Sequence, residues 1–350
     1  HHALYAPGLG YYVAGTTKFG ESGDFITAPE VSHVFGRVLA RQCADVLGQV
    51  EGGAILEYGA GSGKLAADML ETLAELDALP AAYLVLEVSA DLRERQEEYL
   101  RRCVPDFVHR VRWLSALPDN HRGVIVANEV LDALPVERFI RRGDELMQMR
   151  VAVEKDAFVM IESPAPILLT RAVALIERDI GGALPDGYMS EACLATSPWL
   201  GGMSSTLREG VAFLFDYGVS RREYYALDRS DGWLRCHFRH HAHNDPLILA
   251  GIQDMTAWVD FSNLAATASA HGFDIAGYTS QAQFLMGGGL EIELQNIASL
   301  PAQQRLALSG EVKTLTLPGE MGERFKCLAL GKGSLAAPSA FAHGDRTHTL

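Results

Sequence analysis

The stretch ILEYGAGSGKLA, Ile55 to Ala66, decides the fold: an apolar strand runs into three alternating glycines and then into a helical pattern. Gly59, Gly61 and Gly63 fall at the carboxyl end of that strand, the edge where open α/β sheets bind ligands. Lacking Cβ atoms, they let a ligand lie against bare backbone. A phosphate-binding loop needs Gly-x-x-x-x-Gly-Lys-Ser/Thr. Here Lys64 is followed by Leu65 and Tyr58 stands five before Gly63, which excludes it. Gly61-Ser-Gly63-Lys-Leu-Ala66 does approximate the Gly-x-Gly-x-x-Ala of dinucleotide folds, and a glycine turn with no ligand is the plain alternative.

Two acids bear on the choice of cofactor. Glu57 precedes the glycines, where a carboxylate attracts the ammonium and sulfonium side of S-adenosylmethionine and repels a pyrophosphate. Glu87 ends the next strand, YLVLEVS, placed to accept hydrogen bonds from both ribose hydroxyls of S-adenosylmethionine or of NAD. The acid before the glycines discriminates, and it favours S-adenosylmethionine.

Outward from the loop, strands alternate with helices. VSHVFGRVLARQCADVLGQV, KLAADMLETLAEL and ADLRERQEEYLRRC carry helical spacing, while AYLVLEVS, FVHRVRWL and GVIVANEV are strand-like. This is the βαβ rhythm of a mainly parallel sheet. After Pro135 the pattern changes: VERFIRRGDELMQMRVAVEKDAFVMIE reads as antiparallel strands turning at Gly143-Asp144 and Lys155-Asp156. ILLTRAVALIERDI is helical and PDGYMSEACLATSPWLGGM loop-rich, before GVAFLFDYG resumes a buried strand. EVKTLTLPGEMGERFKCLALGK reads as two strands about a Pro-Gly turn at an antiparallel sheet edge, and SLAAPSAFAHGDRTHTL as a loose tail. The expected division is a cap or lid over 1–35, a discontinuous core over 36–135 and 208–331, an inserted substrate-side subdomain over 136–207, and a tail over 332–350.

The 350 residues, 48% hydrophobic and 21% charged, suit a globular protein with a sizeable core, and no apolar run approaches the ~18 residues of a membrane span. A net charge of −14 disfavours nucleic acid and suits a cationic partner. Five scattered cysteines with no Cys-x-x-Cys pair read as reduced thiols, not as a disulfide framework or zinc site. The start, HHALYAPGLGYY, has neither a signal-peptide core nor an Arg-rich transit segment. The expected compartment is the cytoplasm for a bacterial protein, or the mitochondrial matrix for a processed eukaryotic one.

At the end of the fourth strand, VIVANEVLDALPVE sets Asn128, Glu129 and Asp132 where a methyl acceptor would approach, and FLFDYG brings Asp216 and Tyr217 to the same edge. A helix cap with solvated acids is the bland alternative. In CHFRHHAHNDP, His237 and His241 have the i, i+4 spacing of a helical zinc pair. No Glu adjoins His237, however, and Pro246 opposes a long helix, so no metal is assigned. Asp260, in WVDF, reads as a helix cap.

GDFITAPEVSHVFG, LEYGAGSGKLA, LEVSADLRERQ, ANEVLDALPV, DYG and LRCHFRHHAHNDPL…TAWVDFSNLA, in that order, resemble the MidA family of S-adenosylmethionine-dependent methyltransferases, which includes the mitochondrial complex I assembly factor. The resemblance implies an α/β, Rossmann-like class I methyltransferase fold with a seven-stranded mixed sheet, an inserted subdomain and an N-terminal cap. It implies S-adenosyl-L-methionine as cofactor and methyl transfer to arginine of a protein substrate, in the family a respiratory complex I subunit. It carries cofactor binding to Glu57, Gly59, Gly61, Gly63 and Glu87, with Asn128 beside them, and makes Asp24, Thr27 and Glu30 of GDFITAPE part of a lid over cofactor or acceptor. A planar guanidinium fits carboxylates through paired hydrogen bonds. Glu129 and Asp132, with Asp216, are therefore the expected catalytic residues, gripping that group and taking its proton. A homodimer stays open. The competing functions are an NAD-dependent oxidoreductase and a non-catalytic assembly chaperone that keeps the cofactor pocket.

Overall fold

In the computed structural model, which describes residues 1–6, 8–12, 26–239 and 241–350, the glycine stretch follows an interior strand of a mixed sheet. That strand, β1 (Ala54–Tyr58), pairs in parallel with β2 (Tyr83–Leu86) on one side and β4 (His121–Asn128) on the other. β3 (Val111–Leu114) extends the β2 side in parallel. Beyond β4 come β9 (Leu207–Val219), parallel, then β15 (Phe325–Lys332) and β14 (Asp274–Ser280), each antiparallel to its predecessor. The chain thus fills one side of β1 first and the other side afterwards. Such a reversal opens a crevice at the carboxyl ends of the strands.

The strands build this sheet because alternate residues bury on opposite faces. Ile55, Val124, Val126, Phe213 and Phe215 pack with α3 (His33–Leu47) and α4 (Lys64–Glu75), while Leu56, Ile125, Ala127 and Leu214 pack with helices Thr196–Thr206 and Phe261–Ala270. Each large side chain so buried contributes about 1.5–3 kcal/mol. Ahead of α3 lie the short α1 (His2–Tyr5) and α2 (Ala28–Val31), and α5 (Ala90–Cys103) follows β2. Ser32 and Ser89 cap α3 and α5 through their side chains. Asp260 caps the helix after it, as its sequence context suggests, accepting from the Asn263 N–H at 2.9 Å.

Within 136–207, β5 (Glu137–Arg142), β6 (Glu145–Glu154), β7 (Ala157–Pro164) and β8 (Met189–Ala192) form a separate antiparallel sheet in the order β7-β6-β5-β8. Its turns fall at 143–144 and 155–156, where Lys155 and Asp156 both take positive φ, 47° and 64°, as tight hairpin turns require. A third sheet, β11-β10-β12, comprises β10 (Arg235–Phe238), β11 (His241–His243) and β12 (Asp254–Thr256), and the two-residue β13 (Val259–Asp260) runs parallel to the end of β9.

Three local expectations are corrected. The loop-rich stretch contains helix Thr196–Thr206, which forms because Leu200 and Met203 bury against the sheet. EVKTLTL is the end of helix Ala302–Thr316, where Leu308, Val312 and Leu315 pack at i, i+4, i+7, and β15 lies inside the sheet while β14 takes the edge. The tail is docked: Ala340 and Phe341 are buried, and Asp345 accepts from the Tyr278 N–H at 2.9 Å. Gly277 makes room for it, since a Cβ there would lie 2.3 Å from the Phe341 ring.

Candidate functional site

At the β1–β4 reversal lies a cavity of about 540 Å³, a size that suits a nucleoside cofactor with an acceptor group beside it. On the β1–β2 side, Gly59 and Gly61 line it with φ of 66° and 54°, the left-handed backbone that favours glycine. Glu57 is buried, and its Oε2 accepts from the Tyr83 hydroxyl at 2.7 Å. Burial raises its pKa to about 7, the Tyr83 hydrogen bond opposes the rise, and the Glu87 charge adds to it. Glu87 accepts from the Ser89 N–H at 2.9 Å and from Gln96 Nε2 at 3.2 Å. Gln96 Nε2 also donates to the Gly61 carbonyl at 3.0 Å, and its Oε1 accepts from Trp113 Nε1 at 2.9 Å, so one buried amide ties the second acid to the glycine loop. Over the loop, Glu30 of α2 accepts from the Ser62 hydroxyl, and Lys64 Nζ donates to the Glu30 carbonyl at 3.2 Å. Bare glycines between two buried acids fit S-adenosylmethionine, with its ammonium at Glu57 and its ribose at Glu87.

On the β4–β9 side the cavity gathers acids and aromatic rings, with Arg235 and Arg324 also on its lining. Glu129 sits at φ 53°, held by its N–H to the Phe215 carbonyl at 2.9 Å. Its carboxylate accepts from Asn128 Nδ2 at 3.4 Å and from the Ala28 N–H of α2. Burial first, then the charge of Asp132, raises its pKa to about 8. Asp132 Oδ2 accepts from the Tyr217 hydroxyl at 2.6 Å, whereas Oδ1 is buried with no hydrogen-bond partner. Burial lifts the Asp132 pKa to about 6, against the pull of Tyr217 and of the backbone N–H groups of Ala133 and of Asp132 itself. Asp254 Oδ1 accepts from the Tyr12 hydroxyl at 2.9 Å, and the Tyr5 hydroxyl donates to the Ala133 carbonyl at 2.8 Å. Trp258 and His237 complete the wall.

Of the residues singled out in the sequence, Thr27, Glu30, Glu57, Gly59, Gly61, Glu87, Asn128, Glu129, Asp132, Tyr217 and His237 meet at this cavity. Two do not. Asp216 is fully buried and off the cavity: Oδ2 accepts from the N–H groups of Leu131 and Asp132 at 2.9 and 3.1 Å, and Oδ1 from that of Tyr217 at 2.9 Å. It fixes the Glu129–Asp132 loop and cannot touch an acceptor. Gly63, at φ 86°, closes the turn with its N–H to the Ala60 carbonyl at 2.8 Å and starts α4 without facing the cavity. Asp24 lies outside the described residues. His237 and His241 belong to a hairpin in which His237 pairs with Ala242 and Phe238 with His241, so the helical spacing does not apply.

Sequence reasoning missed Gln96, Tyr5, Tyr12 and Asp254. Gln96 left a signal: it shares the buried stripe of α5 with Leu92 and Leu100, a polar residue in the middle of three positions four apart. The other three had none, because long-range packing alone brings them together.

The sequence profile of a family described as S-adenosyl-L-methionine-dependent methyltransferase matches residues 38–279. The mitochondrial protein arginine methyltransferase NDUFAF7 homologue of Drosophila melanogaster is 29% identical over 362 residues, spanning 95% of this chain and 80% of the fly protein. The mitochondrial protein arginine methyltransferase NDUFAF7 of Mus musculus is 30% identical over 354 residues, 93% of this chain and 78% of the mouse protein. A crystal structure of a Burkholderia thailandensis protein bound to S-adenosyl-homocysteine has a TM-score of 0.92 and 40% identity, covering 99% of this chain and 90% of that one. No helix among the described residues is long and apolar enough to cross a membrane.

Proposed function

The chain belongs to this family of S-adenosyl-L-methionine-dependent methyltransferases, with the class I fold, and we propose that its methyl acceptor is an arginine of a protein substrate. The observation that carries the reading is the make-up of the β4–β9 side, where Glu129, Asp132 and Asp254 face the cavity among aromatic rings. A guanidinium carries five N–H donors in a plane and stacks on aromatic faces, so it uses both features. The relatives named as arginine methyltransferases support the same acceptor.

Glu57 takes the donor's ammonium, Glu87 its ribose hydroxyls, and Gly59 and Gly61 leave room for it against the backbone, with Asn128 and Thr27 alongside. A pyrophosphate in the same crevice would meet Glu57, which argues against a nicotinamide dinucleotide. When bound, the donor supplies an electrophilic methyl group on a cationic sulfur. Glu129 and Asp132 hold the guanidinium and turn one nitrogen toward that methyl, a task of alignment. Burial raises the Glu129 carboxyl to about 8 in the ligand-free protein, and the charge of a bound guanidinium favours its ionised form. As the N–C bond forms and the donor's S–C bond breaks, the attacking nitrogen would shed its proton to that carboxylate. The respiratory complex I subunit implied by the family resemblance is the first protein substrate to try. The relatives named above are mitochondrial, and this chain would meet such a substrate in a mitochondrial matrix or a bacterial cytoplasm.

The test supplies S-adenosylmethionine with a labelled methyl group to the enzyme and a host lysate, and maps the label by mass spectrometry. Label is expected on arginine nitrogens, falling at least about 100-fold with Glu129→Gln at unchanged donor affinity. Label on lysine or oxygen overturns the arginine assignment. Intact donor binding with no label at all is the result a non-catalytic assembly chaperone gives.

A further inference from the structure

We propose that Tyr12 and Asp254, together with Tyr5, form the wall by which the cavity selects a guanidinium over an ammonium, an inference that rests on the acceptor reading above. The three come from distant parts of the chain and meet at one cavity. The Tyr12 hydroxyl donates to Asp254 Oδ1 at 2.9 Å, and the Met255 N–H reaches the same oxygen at 2.9 Å, so the carboxylate is fixed from two sides. The Tyr5 hydroxyl donates to the Ala133 carbonyl at 2.8 Å, which holds its ring next to Asp132. The Tyr5 and Tyr12 rings lie nearly parallel, 22° apart with centroids at 5.6 Å, and both line the cavity. Asp132, 7% exposed, keeps Oδ1 without a hydrogen-bond partner, a buried acceptor that a ligand's N–H would satisfy.

Two stacked tyrosine rings and two buried carboxylates lining one cavity suit one shape of cation. A guanidinium is planar and weakly hydrated, so its face can lie on a tyrosine ring while its N–H edges reach carboxylates on both sides. An ammonium is a compact, strongly hydrated point charge whose donors point tetrahedrally, so it matches a ring face and two carboxylates at once less well than a planar fork does. Asp254 and the two tyrosines thereby act as recognition residues, separate from proton transfer at Glu129.

The experiment titrates butylguanidinium and butylammonium into the full chain loaded with S-adenosyl-homocysteine, by calorimetry. The wild type is expected to prefer butylguanidinium about tenfold or more. Tyr12→Phe keeps the ring and removes the hydroxyl, and should shrink the preference about fivefold. Asp254→Asn should abolish it, and Tyr5→Leu should weaken butylguanidinium alone. S-adenosyl-homocysteine affinity should stay within about twofold in every variant, because none of the three belongs to the donor's side. If Asp254→Asn does not fold, the two tyrosine variants carry the test. Equal binding of the two probes by the wild type, or an unchanged preference in the variants, overturns the inference. Arginine labelling in the lysate without a probe preference overturns this inference alone. A guanidinium preference lost in the variants of an enzyme that labels no arginine upholds the wall and overturns the transfer reading.

Discussion

On the β1–β2 side of the cavity, two short stretches, 57–62 and 86–96, supply most of the groups, and each acid already has neutral donors: Tyr83 for Glu57, Ser89 and Gln96 for Glu87. On the β4–β9 side the groups come from five separated places, near residues 5, 12, 130, 217 and 255, and their acids crowd one another. Glu129 stands on left-handed backbone and Asp132 keeps an unpartnered oxygen. The first side is organised before any ligand arrives. The second carries backbone strain at Glu129 and an acceptor at Asp132 for which a cation would supply the donor, the arrangement expected where chemistry is done.

That contrast can be broken by substitutions that should separate the two sides. The largest effect is expected from Gly59→Val: a β-branched residue at φ 66° distorts the loop and should weaken donor binding at least about 100-fold, read by calorimetry. Glu57→Gln should lower donor affinity about 10- to 100-fold while turnover at saturating donor changes little. A fall in turnover at saturating donor would show that the two sides are not separable. Asp216→Asn should cost about 1–3 kcal/mol of stability in denaturant unfolding, because one of the backbone N–H groups it serves would face an amide N–H instead. Its effect on donor affinity should be negligible.

The smallest effect sharpens the comparison through pH. Glu57 and Glu129 have folded pKa values of about 7 and about 8, above the ordinary 4.5, so the fold binds more protons than the unfolded chain between these limits. Their contribution to stability is therefore full below about pH 4.5 and lost as pH rises through 7 and 8, a trend visible in the melting temperature of the ligand-free protein. Donor binding needs Glu57 ionised. Its affinity should rise with pH up to about 7 and then level off, with proton release measured in buffers of different ionisation enthalpy. Glu57→Gln should flatten that rise and leave the Glu129 part of the stability trend in place.

The same contrast explains how much was legible in the sequence. Ile55–Ala66 and Glu87 are local patterns, a strand, a bare turn and an acid, and a one-dimensional reading finds them. The alternation of strands and helices likewise gave the sheet, because periodicity reports which face is buried. Asp216 reads as a site residue from its place at a strand end, which is local, whereas its bonds from the Leu131 and Asp132 N–H groups come from how β4 and β9 pack. Tyr12 and Asp254, 242 residues apart, meet only after folding. EVKTLTL reads as a strand because its β-branched residues outweigh a helical stripe that begins earlier, at Leu308.

The most direct measurement is a crystal structure of the chain with S-adenosyl-homocysteine and butylguanidinium. The homocysteine ammonium should lie about 3 Å from Glu57 and the guanidinium about 3 Å from both Glu129 and Asp132, with one nitrogen facing the sulfur. A guanidinium bound away from those two carboxylates, or a nucleoside turned so that Glu57 meets no ammonium, would contradict it.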